Sequence, residues 1–270
     1  MVPQRKICVE TIVVALQQGR SSVGLRELPD SPKVAIVAAL EREFGPFIKD
    51  CQTNQREFAG QKFKFFEKGQ AVLVCGGIGA AAARQATEGI INLYKPQVVL
   101  SAGFAGALEP GLRVGQIVVP RLIIDAHDGS RVETGMGEGV LVSAMAIADT
   151  KQKSKLADAY RAQIVDMEAA AVMRRSEARG VNCLAIKVVS DEVDFDMLAL
   201  ERFVGSDGRF RTGSFVAYFI LRPWHWLRIC KLWSSSRRAS AALCLRLEQF
   251  IRQYAETRQS GQQFQKVKLG

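Results

Sequence analysis

Residues 164–171 read IVDMEAAA, and residues 187–192 read KVVSDE. Each stretch places a carboxylate at the edge of an apolar element. Glu168 follows a short Ile-Val run and opens an alanine-rich helical segment, whereas Asp191 ends a strand-like apolar run. The two stretches therefore predict that both acids lie at the rim of the core and not in open solvent.

Apolar strand-like runs alternate with helical stretches along the rest of the chain. The strand-like runs lie at 34–39, 71–75, 97–102, 116–119, 140–142 and 183–189, and the helical stretches lie at 79–94 and 167–179. Several runs are apolar at both alternating positions, which is typical of strands covered on two faces. The alternation predicts an α/β fold, with one three-layer α/β/α domain around a central mixed, mostly parallel sheet.

Length and composition fit one domain of this kind. The chain has 270 residues, of which 48% are hydrophobic and 24% are charged. We interpret residues 1–30 as an N-terminal extension that carries little information. Residues 31–270 then form the α/β domain, including a basic, apolar C-terminal helical segment at about 214–259.

The cysteines, histidines and charges argue against several functions. The six cysteines form no CxxC pair, which predicts a reducing, cytoplasmic location without disulfides. Two histidines, His127 and His225, are too few for a histidine metal centre and a poor start for a Ser-His-Asp triad, so we expect no metal and no cofactor. The net charge of +10 comes mainly from the region after Arg202, where no nucleic-acid-binding module is recognisable.

Four landmarks follow one another in the chain: an apolar run with an acidic turn at 34–44, a glycine turn at 74–79, the run SAGFAGAL at 101–108 followed by 112–119, and the two stretches quoted above. In this order they resemble the nucleoside phosphorylase and nucleosidase superfamily, and methylthioadenosine/S-adenosylhomocysteine nucleosidases in particular. The resemblance implies a phosphorylase/hydrolase-like fold and cleavage of a purine N-glycosidic bond.

Cleavage of that bond builds positive charge on the sugar while electrons flow into the base. The resemblance implies that Asp191 protonates purine N7, that Glu168 holds the ribose hydroxyls and that Glu43 positions the attacking water. Other interpretations stay open. Ser190 and Asp191 could cap a helix, and Glu43 could belong to a charged first helical turn.

The resemblance also implies substrate contacts around these acids. Met167 packs against the ribose, Ser190 accompanies Asp191 at the purine, and Lys187 stands where nucleosidases often carry an arginine near the sugar. Gly77 lies in a turn that lets a ligand approach backbone N–H groups at a helix start. A tight turn without a ligand and core packing of Met167 are the alternatives.

Two positions depart from the pattern of the nucleosidases, and a third position, Ser101, differs from the phosphorylases. Phe104 stands where relatives usually have serine, and Ile147 falls where an aromatic residue stacks on the purine. Ser101 stands where hexameric phosphorylases place a phosphate-binding arginine, which favours hydrolysis over phosphorolysis. The departures leave open a catalytically weak nucleoside-binding protein.

The segment at 215–233 is both apolar and cationic, with three tryptophans. Interrupting cations and Pro223 argue against a spanning helix and favour a segment at the inner membrane face. The region 207–239 is similar to the C-terminal part of hopanoid-associated phosphorylases, which remove adenine from adenosylhopane. A C-terminal helix pair that packs on the sheet or forms a dimer contact is the alternative.

Together these observations predict an adenine-releasing nucleosidase. Its substrate is a small-molecule or lipid-linked nucleoside with a bulky apolar 5′ group, such as adenosylhopane, bound through Phe104 and Ile147. A homodimer is expected. The alternatives are a phosphorolytic purine nucleoside phosphorylase and a methylthioadenosine/S-adenosylhomocysteine nucleosidase.

Overall fold

The computed structural model describes residues 34–195 and 226–268, with side chains for 34–195 and 233–256. The elements are strands β1 (Val34–Ala38), β2 (Gln52–Phe58), β3 (Gln61–Lys68), β4 (Ala71–Cys75), β5 (Val98–Ala107), β6 (Ile117–Val118), β7 (Leu122–Asp125), β8 (Arg131–Glu133), β9 (Val140–Ser143), β10 (Ile164–Asp166) and β11 (Asn182–Asp191), and helices α1 (Gly45–Ile48), α2 (Ala80–Tyr94), α3 (Thr150–Tyr160), α4 (Ala169–Ala178) and α5 (Trp226–Lys268). A short 3-10 helix, Glu41–Phe44, precedes α1. The N-terminal extension 1–30 and tail residues 214–225 lie outside the described residues.

The strands form one mixed sheet in the order β2-β3-β4-β1-β5-β10-β9-β7-β8, with β11 beside β5 and β6 beside β11. The pairs at the centre, β4 with β1, β1 with β5 and β5 with β11, are parallel. Antiparallel pairs lie mainly at the flanks, where β2, β3 and β4 form a meander. The predicted α/β fold with a mixed sheet is confirmed.

Strand β5, with ten residues, serves two halves of the sheet. Its first residues pair with β1, and its last two, Gly106 and Ala107, pair with β10. The β10 strand runs antiparallel to β5. It therefore carries the chain after Asp166 back toward the carboxyl ends of β1 and β4.

Helices cover both faces of the sheet and bury its apolar side chains. On one face α2 and α4 pack over β1, β4 and β5, and on the other face the 3-10 helix, α1 and α5 do so. Apolar burial of this kind is the main favourable term in folding. The predicted three layers are therefore present.

The C-terminal helix α5 belongs to the core. Leu243, Leu247 and Phe250 are fully buried against the same cluster as Phe44 and Ile186. These residues therefore pack on the sheet, as one interpretation of the C-terminal segment has it. The membrane interpretation concerned 215–233, where side chains up to residue 232 lie outside the described part of the chain. Within the described part of the chain, no helix combines the length and the apolar character that a membrane span requires.

Two leucines of α5 provide a matched test of this packing. Leu247 is 0% exposed, whereas Leu245 is 59% exposed. Leu247→Ala should lower the free energy of unfolding by about 2–5 kcal/mol, because it leaves a cavity in the core. Leu245→Ala should change it by less than about 0.5 kcal/mol. Urea unfolding of both variants measures the difference, and equal effects would contradict the docking of α5.

Candidate active site

Four ionisable side chains lie close together in the region reached by the ends of β1 and β10 and by the middle of β11. Glu43 lies in the 3-10 helix after β1, Asp166 is the last residue of β10, Glu168 immediately precedes α4, and Lys187 lies in β11. The Lys187 ammonium is 2.7 Å from Asp166 Oδ2, with both side chains buried. In the sheet register, Lys187 pairs with Gly103 of β5. Three acids therefore surround one cation.

Backbone groups around two glycines hold the glutamates of this cluster. The Gly79 N–H donates to Glu168 Oε1 at 2.8 Å, and Gly79 has a φ of +95°, which a residue with a Cβ rarely adopts. The Phe104 N–H donates to Glu43 Oε2 at 3.4 Å. A Cβ at Gly103 would lie 2.9 Å from that same oxygen. The glycines thus give the carboxylates close access to the backbone.

The cluster raises the pKa of both glutamates. Burial, followed by the charge of Glu168, raises the pKa of Glu43 to about 8, although Lys187 opposes the rise. Burial, followed by the charge of Asp166, raises the pKa of Glu168 to about 7, while Lys187 and the Gly79 N–H oppose this rise. Desolvation and like charge both disfavour the ionised carboxylate. The carboxyl groups of Glu43 and Glu168 therefore both change protonation state near neutral pH.

The pKa of Lys187 moves in the opposite sense to that of a lone buried lysine. Burial is the largest effect and lowers the pKa of its ammonium. The carboxylates of Asp166, Glu168 and Glu43 more than offset burial, and the pKa lies above its ordinary value. Lys187 is therefore held as a cation inside the protein.

Asp191 lies at the end of β11 in a separate charge pair. Its Oδ2 is 2.5 Å from the Lys153 ammonium, and both side chains are almost fully buried. Its Oδ1 is 2.6 Å from the Ser190 hydroxyl, which also lies 3.3 Å from the Ala105 carbonyl oxygen. Both carboxyl oxygens thus have a polar partner.

The two charge sets lie along one strand. Glu43 Oε2 approaches Gly103, and Asp191 Oδ2 lies 3.0 Å from where a Cβ would stand on Gly106. Three residues of a strand span roughly 10 Å, which is of the order of a nucleoside's length. A cavity opens onto Asp191. It is lined by Val114, Ser190, Asp191, Glu192, Phe195, Ser235 and Arg238.

The other predicted site residues lie around these sets. The Met167 N–H donates to Glu168 Oε2 at 3.3 Å. Phe104 pairs with Val188 in the register of β5 and β11, and its ring packs on the core beneath α5. Gly77 lies in the turn after β4 and donates its N–H to the Ala39 carbonyl. Ile147 is half-buried in the loop before α3.

Two residues of the candidate site, Asp166 and Lys153, were not predicted from the sequence. Asp166 had a signal, because it stands inside the quoted stretch two residues before Glu168. Gly79 belongs to the glycine turn that the sequence indicated as open to backbone contacts. Lys153 had no signal, because it lies in a helix of otherwise polar, exposed character. The pairing of Lys153 with Asp191 arises only in the folded chain.

The fold and the site together define a class of protein: an α/β protein with buried acids at a sheet end bordered by glycine turns. A family model, described as the phosphorylase superfamily, matches residues 33–148 and 136–207. These ranges span most of the described sheet. The chain belongs to the phosphorylase superfamily.

Individual relatives are consistent with this membership. The chain is 34% identical over 90 residues to a 5′-methylthioadenosine/S-adenosylhomocysteine nucleosidase of Bacillus licheniformis, a match that covers 32% of this chain and 39% of that enzyme. It is 25% identical over 197 residues to the nucleosidase of the same name from Staphylococcus aureus, covering 58% of this chain and 86% of that enzyme.

A solved structure shows the same fold. The 5′-methylthioadenosine/S-adenosylhomocysteine nucleosidase of Helicobacter pylori superposes with a TM-score of 0.62 at 17% identity. The match covers 83% of this chain and 99% of that structure.

The raised pKa of Glu43 predicts how stability depends on pH. Because the pKa rises from 4.5 in the unfolded chain to about 8 in the folded protein, the stability linked to this proton is fully present below pH 4.5 and is lost as pH rises through about 8. Glu43→Gln removes this loss. Between about pH 5 and pH 9 the wild type should therefore lose more stability than the variant, by up to ~1.4 kcal/mol per pH unit.

Urea unfolding at a series of pH values measures this difference. Glu41→Gln is the matched control, since Glu41 lies in the same turn, is exposed and pairs with Lys64 at the surface. It should leave the pH slope of the wild type unchanged. Parallel slopes for the wild type and Glu43→Gln would show that Glu43 does not hold the extra proton.

Proposed function

We propose that this protein is a nucleosidase that cleaves the N-glycosidic bond of an adenine nucleoside and releases adenine. The observation that carries the proposal is the arrangement of acids along β5, with Glu43 and Glu168 around Lys187 at one point and Asp191 at another. Cleavage of a nucleoside needs acids at both ends of the broken bond. The names of the sequence relatives support the same reaction.

Glu43 acts on the attacking water in this proposal. A general base works best when its pKa lies near the working pH, and burial raises the pKa of Glu43 to about 8. The ionised form takes a proton from water as the glycosidic bond breaks. Its negative charge also stabilises the positive charge that develops on the sugar.

Glu168 binds the ribose. One oxygen is held by the Gly79 N–H and the other by the Met167 N–H, so the carboxylate has a fixed direction. Its remaining lone pairs can accept hydrogen bonds from two sugar hydroxyls. Met167 supplies an apolar surface beside the sugar, and Lys187 offsets part of the charge of the acids.

Asp191 serves the departing base. It borders the cavity at the end of β11 together with Ser190. For this step Asp191 takes up a proton from solvent as the substrate binds and gives it to purine N7 as electrons flow into the base. It then returns to the carboxylate that pairs with Lys153. Protonation makes adenine a better leaving group. The exclusion of water from this position strengthens the interaction.

Hydrolysis fits the site better than phosphorolysis. The Ser101 hydroxyl is fully buried and has no hydrogen-bond partner among the described residues. A lone hydroxyl cannot replace the two parallel hydrogen bonds that an arginine gives to phosphate. Water is therefore the proposed acceptor of the sugar.

The finer part of the proposal concerns the 5′ group. Phe104 and Ile147 are apolar, and on these two residues a bulky apolar 5′ substituent such as that of adenosylhopane is proposed. The residues that α5 contributes to the cavity at Asp191 are polar, namely Ser235 and Arg238, and lend this part no support. The short methylthio group is the alternative. Contact of the C-terminal segment with the membrane stays a prediction, and so does assembly of the protein as a homodimer.

A panel of nucleosides tests the reaction and the 5′ group together. We expect adenine release from 5′-substituted adenosines, with kcat/KM higher for a long 5′-alkyl substituent than for 5′-methylthioadenosine. Added phosphate should change neither the rate nor the product, which is the free sugar. Formation of a sugar 1-phosphate would show that the reaction is phosphorolysis and not hydrolysis. A higher kcat/KM for methylthioadenosine would refute the proposal of a bulky 5′ substituent. Tight binding of the nucleosides without turnover would refute the proposed enzyme activity and indicate a nucleoside-binding protein.

Replacing Glu43 tests its role as the base. Glu43→Gln should lower kcat by about 10²–10⁴, the usual contribution of a general acid or base, with KM little changed. In the wild type, kcat/KM should rise with pH up to about 8, since only the ionised form accepts a proton. Steady-state kinetics across pH measure both effects. Glu41→Gln is again the control, and a Glu43→Gln variant with the kcat of wild type would refute the assignment.

A further inference from the structure

Lys153 occupies an unusual position on α3. The helix is polar and mostly exposed, and Lys153 is its one fully buried residue, with 1% of its side chain exposed. Leu156, on the same helix, is only half-buried. A surface helix normally buries its apolar residues and leaves lysine in water. The helix therefore directs a cation, and not a leucine, into the protein.

The Lys153 ammonium has three acceptors. It lies 2.5 Å from Asp191 Oδ2, 2.9 Å from the Glu192 carbonyl oxygen and 3.3 Å from the Phe195 carbonyl oxygen. An ammonium has three N–H groups, so each proton has a partner. Burial of the charge is balanced by one carboxylate and two carbonyl dipoles.

All three acceptor residues line the same cavity. Asp191, Glu192 and Phe195 are among the residues that border it, whereas Lys153 lies behind them. Lys153 thus holds the chain that leaves β11 in a curve around the cavity. Lys153 contacts these lining residues but does not itself line the cavity.

The start of α3 is also fixed. Asp149 and Gln152 form a reciprocal capping box, in which the Asp149 carboxylate accepts from the Gln152 N–H at 2.7 Å and the Gln152 side chain accepts from the Asp149 N–H at 2.9 Å. Lys153 is the next residue. A fixed helix start gives its ammonium a defined position, independent of the β11 end that it binds.

We propose that Lys153 is a positioning residue for the base-cleaving step, which holds Asp191 and residues 192–195 in the one arrangement that lets Asp191 act on the purine. This inference rests on the proposed function. Ser190 fixes one carboxyl oxygen of Asp191 and Lys153 fixes the other, so the carboxyl plane has a single orientation. Lys153 acts through Asp191 and does not touch the substrate.

A double-mutant cycle in kcat tests this dependence. The variants are Lys153→Gln, Asp191→Asn and the double variant, assayed with the adenine nucleoside that the wild type cleaves fastest. Lys153→Gln should lower kcat at least tenfold with less than a threefold change in KM. In the Asp191→Asn background it should change kcat by less than twofold, because the group through which it acts is gone. Equal losses in both backgrounds, or no loss in the wild-type background, would overturn the proposal.

Further variants separate positioning from folding. Lys153→Gln leaves a buried carboxylate without its cation, whereas the double variant removes both charges and should melt at a higher temperature than Lys153→Gln. Lys153→Arg keeps the cation and should recover part of the kcat. Lys155→Gln, an exposed lysine of the same helix, should match the wild type. A Lys153→Arg variant that is folded but no more active than Lys153→Gln would also count against positioning by charge.

Calorimetric binding of adenine provides a readout that needs no turnover. Adenine should bind Lys153→Gln at least tenfold more weakly than the wild type, and Lys153→Arg less weakly. If the wild-type protein binds adenine but releases none from nucleosides, the proposed function is refuted. The adenine affinities of the wild type and the Lys153 variants would then still test whether Lys153 positions Asp191. Unchanged adenine affinity in Lys153→Gln would end the Lys153 proposal while base release by the wild type still stood.

Discussion

One buried ammonium, that of Lys187, holds the acids of the site together. Asp166 bonds it directly, and Glu168 and Glu43 lie within its field. Three carboxylates around one cation leave an excess of negative charge in a region with little water. Because such an excess is costly, the glutamates retain protons to higher pH than free glutamate does. Burial is the larger cause of the raised pKa of both glutamates, and the excess of carboxylates over the one ammonium adds to it.

The topology of the sheet makes this meeting possible. The 3-10 helix with Glu43 follows β1, Lys187 lies in β11, and both strands run parallel to β5. The acids after β10 would point away if β10 were also parallel to β5. Its reversed direction returns Asp166 and Glu168 to the same region. The antiparallel pairing of β5 with β10 in the middle of the sheet thus places them beside Lys187.

The sequence predicted the parts of this arrangement that depend on local pattern. The central strands are continuous apolar runs, and β1, β4 and β11 lie where those runs are. Strand β2 was missed because residues 52–58 are polar and exposed and carry no apolar alternation. Strand β3 was missed although Phe63 and Phe65 alternate with lysines. Motifs indicated Glu43, Glu168 and Asp191, whose roles stay predictions. Lys153 could not be found, since its role depends on contact with a residue 38 positions away.

The two charge sets differ in balance, and the difference has a physical meaning. Around Lys187 acids outnumber the cation, so protons enter and leave near neutral pH. At Asp191 one carboxylate meets one ammonium, and the remaining N–H groups of Lys153 bond backbone carbonyls. In the proposed function, the first set exchanges a proton with water at the sugar, and the second presents a carboxyl group of fixed direction to the flat ring of the base. Since β5 carries both Gly103 and Gly106, a single strand sets the distance between the two sets. A nucleoside that spans them, as proposed, meets titrating glutamates at one end and a charge pair of fixed orientation at the other.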